Sequence, residues 1–174
     1  GGSGSRVGPK VGTTFTLAGP KECSGAGLKF GGMANLSGGS GSDTFIGAGG
    51  SLSGKLVDGG GASTLSGAIT TGGNQTYTGA MTLSAPTTLA STANGSINLA
   101  SSISGAQALT INTGGTTILG GTVSITSLTT NAGGTTAING GTVTTTGAQN
   151  CGDAVTLGSA RTRRGVVNQL ASTH

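Results

Sequence analysis

Leu109 to Val123 reads LTINTGGTTILGGTV, and Leu128 to Val143 repeats it as LTTNAGGTTAINGGTV, nearly residue for residue. The copies are spaced by about 20 residues, Leu109 to Leu128 and Gly120 to Gly140, a length suited to one coil of a stacked solenoid. The Gly spacing is wider than the Leu spacing by a single position. Such a repeat is one small structural unit that cannot bury its apolar face alone, so it must stack on copies of itself. A longer echo relates Gly73–Leu83 (GNQTYTGAMTL) to Gly147–Leu157 (GAQNCGDAVTL), with a partial copy, GAQALT, from Gly105. Several coils inside one superrepeat account for both spacings.

The segments around Met81 and Leu83, Leu89, Ile97 and Leu99, Ile103, Leu109 and Ile111, Ile118, and Val123 and Ile125 alternate apolar with polar residues over short stretches bounded by Gly, Asn or Ser. That is strand periodicity, and no stretch places apolar residues at helical spacing. The chain is therefore expected to be all-β: a parallel β-helix, or β-solenoid, with coils of about 20 residues. At about 20 residues per coil, Gly72–Leu157 makes roughly four coils and, at a strand separation of about 4.8 Å, a rod ~20 Å long. Each strand bonds to the coils above and below, so small and medium aliphatic residues suffice inside, and large aromatics are expected not to fit. Corners need glycine, as at Gly114, Gly115, Gly120 and Gly121, and outward positions carry Thr.

Composition narrows the alternatives. Among 174 residues, 38 are Gly, 7% are charged and 2% are aromatic, too few large side chains for a globular multilayer core. A mean hydropathy of +0.11 with abundant Thr, Val and Ile opposes disorder. Gly lacks the period of collagen, and Pro numbers only 3. The net charge of +4 does not indicate nucleic acid, because the basic residues are scattered except for Arg161, Arg163 and Arg164, Trp is absent and Tyr77 is single.

The chain divides into an irregular N-terminal cap or worn coil (1–35), Gly-rich coils (36–67), regular solenoid repeats (68–157) and a non-repeat tail (158–174). Cys23 and Cys151 lie several coils apart and are expected to be unpaired. His174 stands at the end of the tail, with no nucleophile elbow to complete a catalytic triad, so no catalytic residue is assigned. No leader peptide and no apolar run long enough to span a bilayer is present; an exported chain would thus be an internal or processed piece.

One metal motif stands out. Gly38–Ile46, GGSGSDTFI, satisfies the nonapeptide G-G-x-G-x-D-x-U-x of calcium-binding β-rolls, in which turn carbonyls and Asp face the next coil. The following candidate, GGGASTL from Gly59, has Ala62 and Thr64 where the third Gly and the Asp belong, so one repeat supplies half a site. Asp43, Gly39 and Gly41 are the candidate Ca2+ ligands, with Asp58 as helper. The competing reading is a Gly-rich corner whose Asp43 caps backbone amides. Asp43 and Asp58 are separated by somewhat less than one coil and could also stack on neighbouring turns as a carboxylate pair, although solvated or calcium-facing corner positions suit them better.

GLKFGGMANLSGGSGSDTF from Gly27, followed by GAQALTINTGGTTILGG and NAGGTTAINGGTVTTTGAQ, resembles repeat modules of large bacterial surface proteins of the filamentous-haemagglutinin-like and autotransporter-adhesin kind. The resemblance spans about Gly27 to Leu157. It implies a secreted or cell-surface shaft with adhesive partners, namely a host surface or extracellular polysaccharide, and carries over no catalytic residue. Open coil ends add possible end-to-end self-association. Two alternatives remain: a calcium-dependent hydrolase of esters, lactones or glycans on the same scaffold, and a Thr-rich face that binds ice or polysaccharide. The one-residue shift between the two best repeat copies weighs against a strictly registered Thr face.

Overall fold

The computed structural model of the chain describes residues 4–20, 22–25, 28–31, 33–158 and 162–171, with side chains for 4–19 and 33–158. In chain order the strands begin with β1 (Gly4–Val7), β2 (Thr14–Pro20), β3 (Glu22–Gly25), β4 (Leu28–Gly31), β5 (Met33–Ser37) and β6 (Asp43–Leu52). They continue with β7 (Leu56–Val57), β8 (Ser63–Thr71), β9 (Gln75–Tyr77), β10 (Met81–Ser91), β11 (Ile97–Leu99) and β12 (Ile103–Thr113). The series closes with β13 (Thr116–Leu119), β14 (Val123–Thr130), β15 (Thr135–Ile138), β16 (Thr142–Leu157) and β17 (Thr162–Ala171). No described residue is helical.

The strands form two parallel stacks that run the length of the molecule. One stack holds the long strands β2, β6, β8, β10, β12, β14, β16 and β17, each bonded to the next. The other holds β1, β5, β7, β9, β11, β13, β15 and the second half of β16. Long strands bend midway, where the register shifts between Leu83 and Thr87 in β10 and between Gly105 and Ala108 in β12. Each coil is thereby three-sided. In one coil the sides are Met81–Leu83, Thr87–Ser91 and Ile97–Leu99, with Met81, Leu83, Leu89, Ile97 and Leu99 pointing inward. This is the β-solenoid expected from the repeat: Asp43 pairs with Ser63, Ile103 with Val123 and Val123 with Val143, each pairing advancing the chain by one repeat length.

The N-terminal end departs from this spacing. Thr14 pairs with Thr44, an advance half as long again, because β3 and β4 form an antiparallel hairpin within the first coil. β3 lies antiparallel against the outer edge of β2, pairing Phe15 with Gly25 and Leu17 with Cys23, so the parallel stack is closed there by a strand of opposite sense. At the other end, the segment read as a tail continues the solenoid: β17 pairs in parallel with β16, although its register slips three times. Cys151 is buried inside the coil. The side chain of Cys23, and His174 altogether, lie outside the described residues.

The core differs from expectation in one respect. Phe15, Phe45 and Tyr77 are fully buried inside the coil. The Phe15 and Phe45 rings stack with centroids 5.5 Å apart, and Tyr77 meets Phe45 edge-on at 6.2 Å. Glycines make the space: a Cβ on Gly8 would lie 2.8 Å from Phe15 Cζ, and one on Gly38 would lie 3.0 Å from Phe45 Cζ. Rings rooted on one side of the coil occupy the volume left empty on another.

Candidate functional site

The metal candidates sit at the corner between β5 and β6 and its counterpart one coil on, between β7 and β8. Asp43 is not a solvated corner residue. It is 1% exposed and points inward on the same side of β6 as Phe45, two residues away. The Thr13 N–H donates to Asp43 Oδ1 at 2.8 Å, while Oδ2 is buried without a hydrogen-bond partner. Ser63, the register partner of Asp43 on the next coil, also has a buried, unpartnered hydroxyl. Burial pushes the Asp43 carboxyl above the ordinary carboxylate range; the Thr13 amide pulls the other way, and the neighbouring Asp58 raises it further.

Asp58 is fully buried and fully occupied. Its Oδ1 accepts from Thr78 Oγ1 at 2.8 Å and Gly60 N–H at 3.2 Å; its Oδ2 accepts from Thr78 N–H at 2.8 Å and Gly79 N–H at 3.0 Å. This carboxylate ties one turn to the turn below it, the role of a cap on free backbone donors. Gly39 has φ +101°, and its carbonyl lies against the backbone of Gly59; the Gly41 carbonyl lies likewise against Gly61. The two Gly turns are packed backbone to backbone.

Calcium needs six to eight oxygens converging on one point. At this corner Asp58 is already saturated by protein donors, the Gly39 and Gly41 carbonyls lie against the next turn, and Asp43 faces the aromatic core with Oδ2 unpartnered. Among the described residues no group of three or more His, Cys, Asp or Glu side chains is placed to hold a metal ion. Asp43 and Asp58 come close enough to interact electrostatically, yet they sit on different sides of the coil and neither faces solvent. Asp153, 3% exposed, is also interior, and it accepts from Thr130 Oγ1 at 2.7 Å and Thr136 Oγ1 at 2.8 Å. No carboxylate among the described side chains is therefore available to act on an external glycosidic or ester bond.

Tyr77 and Gln75 extend the buried polar set. Tyr77 Oη–H donates to Gln75 Oε1 at 3.0 Å, and Gln75 Nε2–H donates to Ala90 O at 2.8 Å and Ile69 O at 3.1 Å. Burial first, and the charge of Asp58 second, hold the Tyr77 phenol protonated far above its usual range. The pair clamps one side of the coil to another.

The most regular chemistry lies outside. On the outward face that begins each long strand, Thr14 pairs with Thr44, Thr44 with Thr64, Thr64 with Thr82, Thr82 with Ser104, Ser104 with Ser124 and Ser124 with Thr144. Seven hydroxyls thus stand in one unbroken column at the strand spacing of about 4.8 Å. Thr44 and Thr64 are half-buried, and the other five are exposed. The one-residue shift noted in the sequence falls at Asn139, in the corner between β15 and β16, where the Asn139 and Gly140 N–H groups both donate to Leu119 O, and it leaves the column's register intact. Beside the column a shallow cleft of about 260 Å³ opens at the Gly105 bulge, lined by Ser104, Ser124, Thr126 and Thr146 over Ile125. From Gly59 to Gly158 the sequence holds one charged residue, Asp153, and it is buried. Five coils thus expose no ionised side chain.

Comparison with family models, with curated proteins and with solved structures returned no match to this chain. Among the described residues no helix is long and apolar enough to cross a membrane.

Proposed function

We propose that the chain is a length of rigid shaft from a secreted or surface-exposed bacterial protein, and that its uncharged hydroxyl column adheres to neutral extracellular polysaccharide. The observation that carries this reading is the seven-rung Thr/Ser column, five rungs of which, Thr64 to Thr144, stand on a surface without exposed charge from residue 59 to 158. An ionic partner gains nothing from such a surface, because steering and ion pairing both need fixed charge. A neutral, repeating polyhydroxyl ligand gains hydrogen bonds at a regular pitch and loses little desolvation energy. The cleft at Gly105 adds an apolar floor bordered by hydroxyls, the kind of recess that receives one face of a sugar ring. The adhesin-like sequence segments support the same role for the shaft.

The test is co-sedimentation with insoluble neutral glucans and, in parallel, with an anionic polysaccharide. Binding to the neutral polymer should survive high salt and should be lost when Thr82, Ser104 and Ser124 are all replaced by Lys. Retention of binding by the triple variant would refute the role of the column, and salt-sensitive preference for the anionic polymer would refute the proposed partner. Inhibition of ice growth without binding to any glucan would transfer the column to the ice-binding alternative.

A further inference from the structure

The bend of β14 is one residue shorter than the bends of the strands on either side of it. Measured between inward residues that pair from rung to rung, Met81 to Leu89, Ile103 to Ile111 and Val143 to Cys151 span equal lengths of chain, and Val123 to Thr130 spans one residue less. The chain of β14 therefore takes a shorter path from one side of the coil to the next, and a notch is left between the bends of β12 and β16. The missing residue is returned at Asn139, so Val123 and Val143 still pair one full coil apart and the hydroxyl column passes the defect in register. Gly105, at φ +116°, carries the β12 bend against Leu83 O, where a Cβ would collide.

The shallow cleft beside the column is this notch. Its lining comes from three successive rungs: Ser104 and Ala106 of β12, Ser124, Ile125 and Thr126 of β14, and Thr146 of β16. Ile125 and Ala106 supply an aliphatic surface, and four hydroxyls stand around it. The Ser104 hydroxyl donates to Met81 O at 3.3 Å, whereas those of Ser124, Thr126 and Thr146 have no hydrogen-bond partner among the described residues. The volume, about 260 Å³, lies below the usual range for drug-sized ligands and suits a single small ring.

We propose that the notch holds a single-sugar side branch of the neutral polysaccharide that lies along the column, and so selects branched over unbranched chains; this rests on the polysaccharide reading of the column. The hydroxyl rungs are chemically alike, so a uniform chain lying on them can shift by one rung without losing a contact. A notch present at one rung between β10 and β16 breaks that equivalence. It also lies to the side of the column, around the bend, so a chain that follows the column passes its mouth. A group that enters must leave the chain sideways, as a branch does and a chain end does not. Within the notch the hydroxyls of Ser124, Thr126 and Thr146 meet those of the ring, and Ile125 and Ala106 take its C–H face. A uronic acid or sulfated branch would find no counter-charge, because residues 59–158 expose none.

Affinity electrophoresis of the full chain through gels containing either an unbranched neutral glucan or the same backbone bearing single-glucose branches tests the assignment. The branched polymer should bind about tenfold more tightly, the gain expected from one ring face and one or two net hydrogen bonds. Insertion of one Gly between Thr126 and Ser127 gives β14 the bend length of its neighbours; it should abolish the preference and leave binding to the unbranched glucan unchanged. Ala106→Trp, on the exposed β12 side of the notch, fills the same space without entering the coil and should abolish the preference as well, whether or not the insertion folds. Equal wild-type affinity for the two polymers would overturn the role of the notch and leave the column reading standing, as would a preference that persists in Ala106→Trp. Failure of the wild type to bind either polymer would overturn the column reading and this inference with it.

Discussion

Replacing Asp43 by Asn probes the interior of the solenoid at its least satisfied point. Asp43 has one donor, the Thr13 amide, for two buried carboxylate oxygens, and a second carboxylate, Asp58, lies close by. A buried polar atom without a partner costs about 1–3 kcal/mol. Ionisation adds to this, because burial and then Asp58 disfavour the charged form more than the Thr13 hydrogen bond favours it. The folded-state pKa is raised, so the stabilising contribution is complete below the unfolded-chain value near pH ~4 and is lost as pH rises through the folded value. The slope in that window is at most about 1.4 kcal/mol per pH unit for the single proton. Asn keeps the acceptor for Thr13, supplies N–H groups where Oδ2 had no donor, and removes the like charge beside Asp58. At neutral pH the variant should therefore be more stable by about 1–3 kcal/mol. In a chain of this size that is a rise in Tm of about 2–4 °C per kcal/mol. Thermal melts followed by far-UV circular dichroism from acid to neutral pH should show wild-type stability falling with pH and Asp43→Asn holding flat. A variant that melts below wild type at neutral pH, or a wild type whose stability rises across that window, would refute the assigned sign.

Four shorter expectations follow from the same geometry. Tyr77→Phe leaves Gln75 Oε1 buried without its donor and should cost about 1–3 kcal/mol in denaturant unfolding, with the parallel-strand spectrum retained. Gly38→Ala drives a methyl group onto Asp43 Oδ2 and within 2.5 Å of Asp58 O, and should cost about 1–3 kcal/mol or prevent folding, read by melting temperature and soluble yield. Millimolar calcium should leave the melting temperature unchanged, since Asp58 is already fully hydrogen-bonded within the protein and the Gly39 and Gly41 carbonyls lie against the next turn; a calcium-dependent rise that Asp43→Ala removes would assign the nonapeptide as a metal site. Removing the β3–β4 hairpin uncovers the outer edge of β2, and size-exclusion chromatography should then show concentration-dependent association that the intact chain lacks.

The coil was legible because its evidence is periodic. The copies at Leu109 and Leu128 are in fact register partners, and the four rungs at Met81, Ile103, Val123 and Val143 match the expected coil count for Gly72–Leu157. What failed to show was everything that depends on contact between different sides of one coil. The Phe15–Phe45–Tyr77 cluster needs Gly8 and Gly38, and the overlong first coil hides that relation behind a hairpin. The buried carboxylates did leave a signal. Asp43 is two residues from Phe45, Asp58 two from Leu56 and Asp153 two from Cys151, so period-two parity already placed all three on the inward side. Chemical type suggested solvent or metal, and parity was the stronger guide. The hydroxyl column was obscured for the opposite reason: the single extra residue, Asn139, at the corner between β15 and β16 mimics a lost register that the strand pairing retains.

Because neighbouring coils are joined by hydrogen bonds that lie along the rod, tension applied at the two termini loads one rung at a time. Each coil of about 20 residues that peels away would release roughly 65–70 Å of contour, against the few ångströms of rise it held before. Pulled in a single-molecule trap, the molecule should lengthen in a staircase of near-equal steps. Near the N-terminus, where β3 crosses β2 in the opposite sense, the staircase should be interrupted by a step of its own size. A rod with that response lengthens in small instalments and keeps its far coils folded.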